Sequence, residues 1–171
     1  GLEDDAAWSI TSDSLNNLYI AGFTSSNPFD GQTSSGSNDA FITKYNPNGD
    51  KEWTRRVGGS GDDQVKNITC DSSNNLIISG YTTSNPFEGI TRSGAIDTFV
   101  TKFDSNGTKI KSILVGMSGN RISTYDITCD TNDKLYIVGD VNGSSFNGQA
   151  ISGSYDAFIL SILDCDVSCD G

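Results

Sequence analysis

Carboxylates are the side chains most available for chemistry in this sequence. Its 171 residues carry 22 Asp and Glu against 11 Lys and Arg, with no histidine and a net charge of −11. Paired carboxylates are what glycoside hydrolysis requires. Clustered oxygens such as Asp62-Asp63 and Asp130-Thr131-Asn132-Asp133 are what calcium takes, in sets of about 6–8. Both readings weaken on inspection. The acidic residues recur at fixed intervals, as Asp13, Asp71 and Asp130 and again as Asp39, Asp97 and Asp156, whereas a catalytic centre is normally unique. No stretch follows the EF-hand pattern, and Asp-Asn-Ser clusters are ordinary turn chemistry. Without histidine, Ser-His-Asp and Cys-His catalysis and His-bearing metal sites are excluded. Arg55, Arg56, Arg92 and Arg121 are too few for a sialidase-type cluster. The expectation is a non-enzyme with no catalytic residue and no cofactor, calcium being the one metal worth weighing.

Four cysteines come next. Cys70 and Cys129 stand at matching places, and Cys165 and Cys169 lie in an acidic tail. An even number favours disulfides in a secreted chain, and four cysteines permit three pairings among which sequence does not choose. A local Cys165–Cys169 staple asks least of the fold; a Cys70–Cys129 bridge needs Cα atoms about 4.4–6.8 Å apart. The alternative is that Cys70 and Cys129 are small buried residues. Asn-x-Ser/Thr sequons begin at Asn67, Asn106 and Asn142, candidate N-glycosylation sites in a glycosylating host.

The elements that must position these groups follow from a repeat. Asn16-Asn17-Leu18-Tyr19-Ile20-Ala21-Gly22 returns as Asn74-Asn75-Leu76-Ile77-Ile78-Ser79-Gly80, and more loosely as Asn132 to Gly139. The closing glycines are 58 and 59 residues apart. Phe29, Phe87 and Phe146 keep that spacing, as do the triplets that begin at Asp39, Asp97 and Asp156. Within the middle unit the periodicity is that of strands over 64–70, 76–82, 98–103 and 109–115, joined by Asp/Asn/Gly turns. Asn-Gly between strands is a strong hairpin signal. Four short antiparallel strands per unit predict an all-β chain of propeller-type blades. The units are 1–58, 59–116 and an incomplete 117–163, followed by the tail 164–171.

Gly58-Gly59-Ser60-Gly61-Asp62-Asp63, the strand Asn75 to Thr82, and Asp39-Ala40-Phe41-Ile42-Thr43-Lys44 with Asn48-Gly49 and Trp53 resemble the bacterial-type β-propeller repeats called SBBP repeats. The likeness runs to about Leu163. In the third unit Arg121 and Ile122 replace the paired Asp, and Ser161 replaces the Lys. The resemblance implies propeller architecture in a secreted or cell-surface protein, but no single activity.

The strand count sharpens the reading. The third unit stops short of its last hairpin, giving eleven strands, whereas propellers usually close with about 4–8 blades. Open blade edges invite pairing. Two copies could complete a ring, copies could join head to tail as a filament, or the chain could be part of a longer propeller. The expected function is that of an extracellular structural or adhesive subunit that associates with copies of itself. The alternative is a carbohydrate-binding propeller using Phe29, Phe87 and Phe146, which otherwise serve as plugs between blades. A pI near 4.1 argues against nucleic acid, and no apolar run is long enough for a membrane-inserted helix.

Overall fold

Aspartate side chains set the chain reversals. Asp13 accepts from the backbone N–H groups of Leu15 and Asn17, both at 2.9 Å. Asp71 does the same for Ser73 and Asn75, and Asp130 for Asn132 and Lys134. In each turn the φ of Asn16, Asn74 or Asp133 is positive, at 63°, 63° and 59°, a conformation that Asn and Asp tolerate better than other side chains. This is why the acidic residues recur: they build turns.

A computed structural model of the chain describes residues 1–163, and these contain strands but no helix. The first sheet is β1 (Asp5–Ser12), β2 (Leu18–Thr24), β3 (Asp39–Tyr45) and β4 (Lys51–Val57). The second is β5 (Asp63–Cys70), β6 (Leu76–Thr82), β7 (Asp97–Phe103) and β8 (Lys109–Val115). The third holds β9 (Ile122–Cys129), β10 (Lys134–Val141) and β13 (Asp156–Leu163). Each is an antiparallel meander whose strands pair in chain order, the blade pattern expected from the sequence. The first strand of each later blade packs on the blade before it, and the sheets are not closed into a ring.

One loop carries more structure than the periodicity predicts. In the third blade β11 (Ser145–Phe146) pairs with β12 (Gln149–Ala150) around positive-φ Asn147 and Gly148. The equivalent loops of the first two blades make only single bridges, Phe29 to Gln32 and Phe87 to Ile90.

The core lies between blades. The middle strand of the second blade explains its own unbroken apolar run. Leu76 and Ile78 face the first blade, where Tyr19, Ala21, Ala40, Ile42 and Val57 meet them. Ile77 and Val100 face the third, against Ile127, Leu135, Ile137 and Ile162. A strand covered on both sides needs no polar alternation. Gly22, Gly80 and Gly139 are required beside it: a Cβ at any of them would lie about 2 Å from a carbonyl oxygen of the neighbouring first strand, at 1.9, 1.9 and 2.0 Å.

Polar links fasten adjacent blades. Ser9 Oγ donates to Asn67 Oδ1 at 3.0 Å, and Asn67 Nδ2 donates in turn to Asp126. Ser14 N–H donates to Asn74, and Ser72 to Asp133. Arg55 Nε reaches the carbonyl of Gly107 at 2.9 Å. Each joins repeat-related segments, so one sequence unit specifies its grip on the next.

Candidate functional site

Two kinds of surface stand out: the end faces of the blade stack, and a cavity among the first strands. On the leading face, which looks toward a preceding blade, Ile68 and Ile127 are each 3% exposed, yet their counterpart Ile10 is 64% exposed. Leu18 shows the same contrast with the fully buried Leu76 and Leu135. On the trailing face Ile42 and Val100 are fully buried, whereas Ile159 at the same place in the third blade is 70% exposed. Val138 likewise stands out where Ala21 and Ser79 are buried. Among the described residues, therefore, the first blade presents an uncovered leading face and the third an uncovered trailing face.

The cavity arises from a backbone irregularity that all three blades share. Each first strand shifts register once, between Ala7 and Ser9, Val65 and Asn67, and Thr124 and Asp126. The extra residues are Trp8, Lys66 and Tyr125. A bulge re-aims its side chain away from the strand's regular alternation, and here the three line one cavity of about 390 Å³ with Asp62, Tyr81 and Arg121.

Its walls carry two cations, Lys66 and Arg121, against one carboxylate, Asp62. The Lys66 ammonium sits 3.0 Å from the centre of the Trp8 ring and 5.1 Å from that of Tyr81. Burial pushes the Lys66 amine down to about 8; Asp62 partly opposes this and Arg121 adds to it. Asp62 is occupied, accepting from Asn38, Gln64 and Tyr81 at 2.8, 3.1 and 3.1 Å. Arg121 Nε donates to Ser123 Oγ at 2.9 Å, and its two terminal amino groups have no protein partner among the described residues. Tyr125, 55% exposed, donates its hydroxyl to Asp140.

The other residues singled out in sequence take their places as follows. Phe29, Phe87 and Phe146 stack within their own blades on Phe41, Phe99 and Phe158, with ring centres 4.9, 4.7 and 5.1 Å apart. Phe87 is fully buried between the first two blades, a plug with no ring face to offer a ligand. Cys70 is a free thiol, so the Cys70–Cys129 bridge does not form. The reason lies in the repeat: Cys70 packs between the first and second blades and Cys129 between the second and third, which puts them in different layers. Burial, with smaller contributions from Asp13 and Asp71, raises the Cys70 thiol to about 11 against a lowering hydrogen bond with Thr11. Cys165 and Cys169 lie outside the described residues. Asn67 belongs to the inter-blade ladder, Asn142 accepts from the backbone of Arg121, and Asn106 sits exposed in the β7–β8 turn. The oxygens considered for calcium are engaged in the protein: Asp130 caps its turn and Asp133 accepts from Ser72.

Fold and sites together define an open stack of propeller-type blades, a repeat protein. Residues 52–88 match the family model of SBBP, the beta-propeller repeat; the chain carries a repeat of that family. The match begins in the last strand of the first blade and ends just beyond Phe87, so it spans the inter-blade junction. An uncharacterized WD repeat-containing protein of Acanthamoeba polyphaga mimivirus is 28% identical across 75% of this chain. The regulatory protein FlaEY of Caulobacter vibrioides is 30% identical across 72%. The chain spans only 11% and 13% of the length of these relatives.

Proposed function

We propose that this chain is a non-enzymatic, extracellular structural or adhesive subunit whose trailing face pairs with the leading face of another copy. The pairing closes a ring or runs on as a filament. One observation carries the reading: residues that are buried wherever two blades meet are bare at both ends, Ile10 at 64% and Ile159 at 70% exposure. The two faces differ from each other and match the two sides of an internal junction, so the contact is heterologous. The strongly acidic charge and the exposed sequon at Asn106 support a solvated exterior outside the cell. A non-catalytic role is supported by the use of the recurrent carboxylates. Asp39 and Asp63, which flank Gly58, are both fully buried, and no substrate reaches them.

Multi-angle light scattering tests the proposal. A two-copy species indicates a closed ring and open-ended polymers a filament. A stable 18.2 kDa monomer across the accessible concentrations overturns it. Ile10→Arg and Ile159→Arg each remove roughly 1–2 kcal/mol of apolar burial and introduce a charge at the contact, at least about tenfold in affinity. Each variant keeps one intact face, so the two mixed together form heterodimers that go no further. Failure to form them also overturns a heterologous contact.

A further inference from the structure

The cavity beneath the three bulges is walled by all three blades, and its residues have a chemistry of their own. Trp8, Lys66 and Tyr125 occupy the same place in successive blades yet differ completely in type. A position serving only the repeat would favour one type of side chain; here the repeat supplies the geometry and the individual residues supply a site. Lys66 and Arg121 give it two cations within a chain of net charge −11. Asp62, the one carboxylate on its wall, offsets part of that charge and spends its hydrogen bonds on the neutral donors Asn38, Gln64 and Tyr81, so the wall keeps one positive charge in excess.

We infer that this cavity binds a carboxylated pyranose, an acidic sugar of the uronate type. Its carboxylate lies between the Lys66 ammonium and the free amino groups of Arg121, a charge-assisted arrangement in which the planar guanidinium fits the carboxylate fork. The exposed ring of Tyr125 offers an apolar wall to the C–H face of the sugar, while the Ser123 hydroxyl, which accepts from Arg121 Nε and keeps its own proton to donate, lines the cavity beside it. The face of Trp8 is taken by Lys66, so Trp8 acts by fixing the ammonium rather than by touching sugar. A volume of about 390 Å³ is at the small end of ligand pockets, suited to one or two sugar rings. Extended polyanions are disfavoured by the acidic surroundings, whereas a single carboxylate meets the two cations directly.

Amide chemical-shift titration of the whole chain tests this with galacturonate, galactose, acetate and inorganic phosphate. Galacturonate is expected to shift residues 64–66 and 121–125 with a millimolar constant, and galactose to bind at least tenfold more weakly. Arg121→Gln and Lys66→Gln each weaken galacturonate about tenfold with the remaining spectrum unchanged. Tyr125→Ala, at an exposed position whose loss leaves the core intact, weakens galacturonate but not acetate. No response at about 10 mM galacturonate, where a millimolar site would be mostly filled, overturns the inference. So does equal binding of galactose, which removes the carboxylate's role. Equal binding of acetate or phosphate removes the sugar's role and overturns it as well. The titration is independent of blade association: a monomer that binds galacturonate sinks the proposed function and leaves the site standing.

Discussion

Truncating Phe87 to alanine discriminates between a buried plug and a ligand face. The side chain is fully buried, stacks on Phe99 at 4.7 Å, and belongs to the apolar cluster shared by the first two blades. Phe→Ala in a packed core costs about 3–5 kcal/mol, transfer and cavity together, and the lost ring pair accounts for roughly 0.5–1.5 kcal/mol of this. Against a total stability of about 5–15 kcal/mol the variant remains folded but marginal. For a chain of this size each kcal/mol shifts Tm by about 2–4 °C, so the expected drop is roughly 6–20 °C. Phe146 makes the same ring contact with Phe158 at 5.1 Å but is only half-buried. Its truncation should cost less than half as much. Urea unfolding followed by tryptophan fluorescence is a suitable assay, because Trp53 packs against the Phe87 cluster and reports on it. The reasoning fails if Phe87→Ala costs under about 1 kcal/mol, or no more than Phe146→Ala.

Three further outcomes are expected. Lys102 Nζ lies 2.9 Å from Asp71 Oδ2 with both side chains buried. Lys102→Met should therefore cost about 3–5 kcal/mol by stranding the Asp71 charge. Glu52→Gln, at the exposed end of the Lys44–Glu52 pair, should cost about 0–1 kcal/mol, and equal urea midpoints for the two variants would refute the distinction. The Lys66 amine should titrate near 8 in carbon-detected NMR, below the other lysines. Because its folded value is depressed, the unfolded chain holds the extra proton above that pH, and stability from this group rises from about 8 toward 10.5. Arg121→Gln should move the midpoint up and Asp62→Asn move it down; a midpoint at the ordinary lysine value refutes the desolvated setting. Finally, with its thiol raised to about 11, Cys70 should resist alkylation at pH 8 in the folded chain and react once unfolded, as mass spectrometry would read.

Much of the architecture was legible because turns and strands are local matters. Asp13, Asp71 and Asp130 announce their reversals by type, since a carboxylate two residues ahead of a free N–H caps it whatever the surroundings. The run from Leu76 to Thr82 announced a strand covered on both faces. The cavity has no such local signature. Its one available signal was spacing: Val65 and Ile68 share an interface although three residues apart, where a regular strand would put them on opposite sides. That step marks the bulge, but nothing in it says that Lys66 of one blade meets Trp8 of the previous one and Arg121 of the next.

The sequence by itself determined the repeat, the all-β class, the turns and the pairing of strands within a blade. Each depends on side chains acting on their own backbone or on the next strand along. Only the tertiary structure decided what lies between blades. It separated Cys70 from Cys129, although matching register invited a bridge, because equivalent positions in a stack face successive interfaces and not each other. It buried Phe87 as a plug, left Ile10 and Ile159 bare, and drew Trp8, Lys66 and Tyr125 around one cavity. The physical reason is common to all four. A repeat fixes where a side chain stands within its unit, but its environment comes from the neighbouring unit, and at either end of the stack that neighbour is not one of the three blades described.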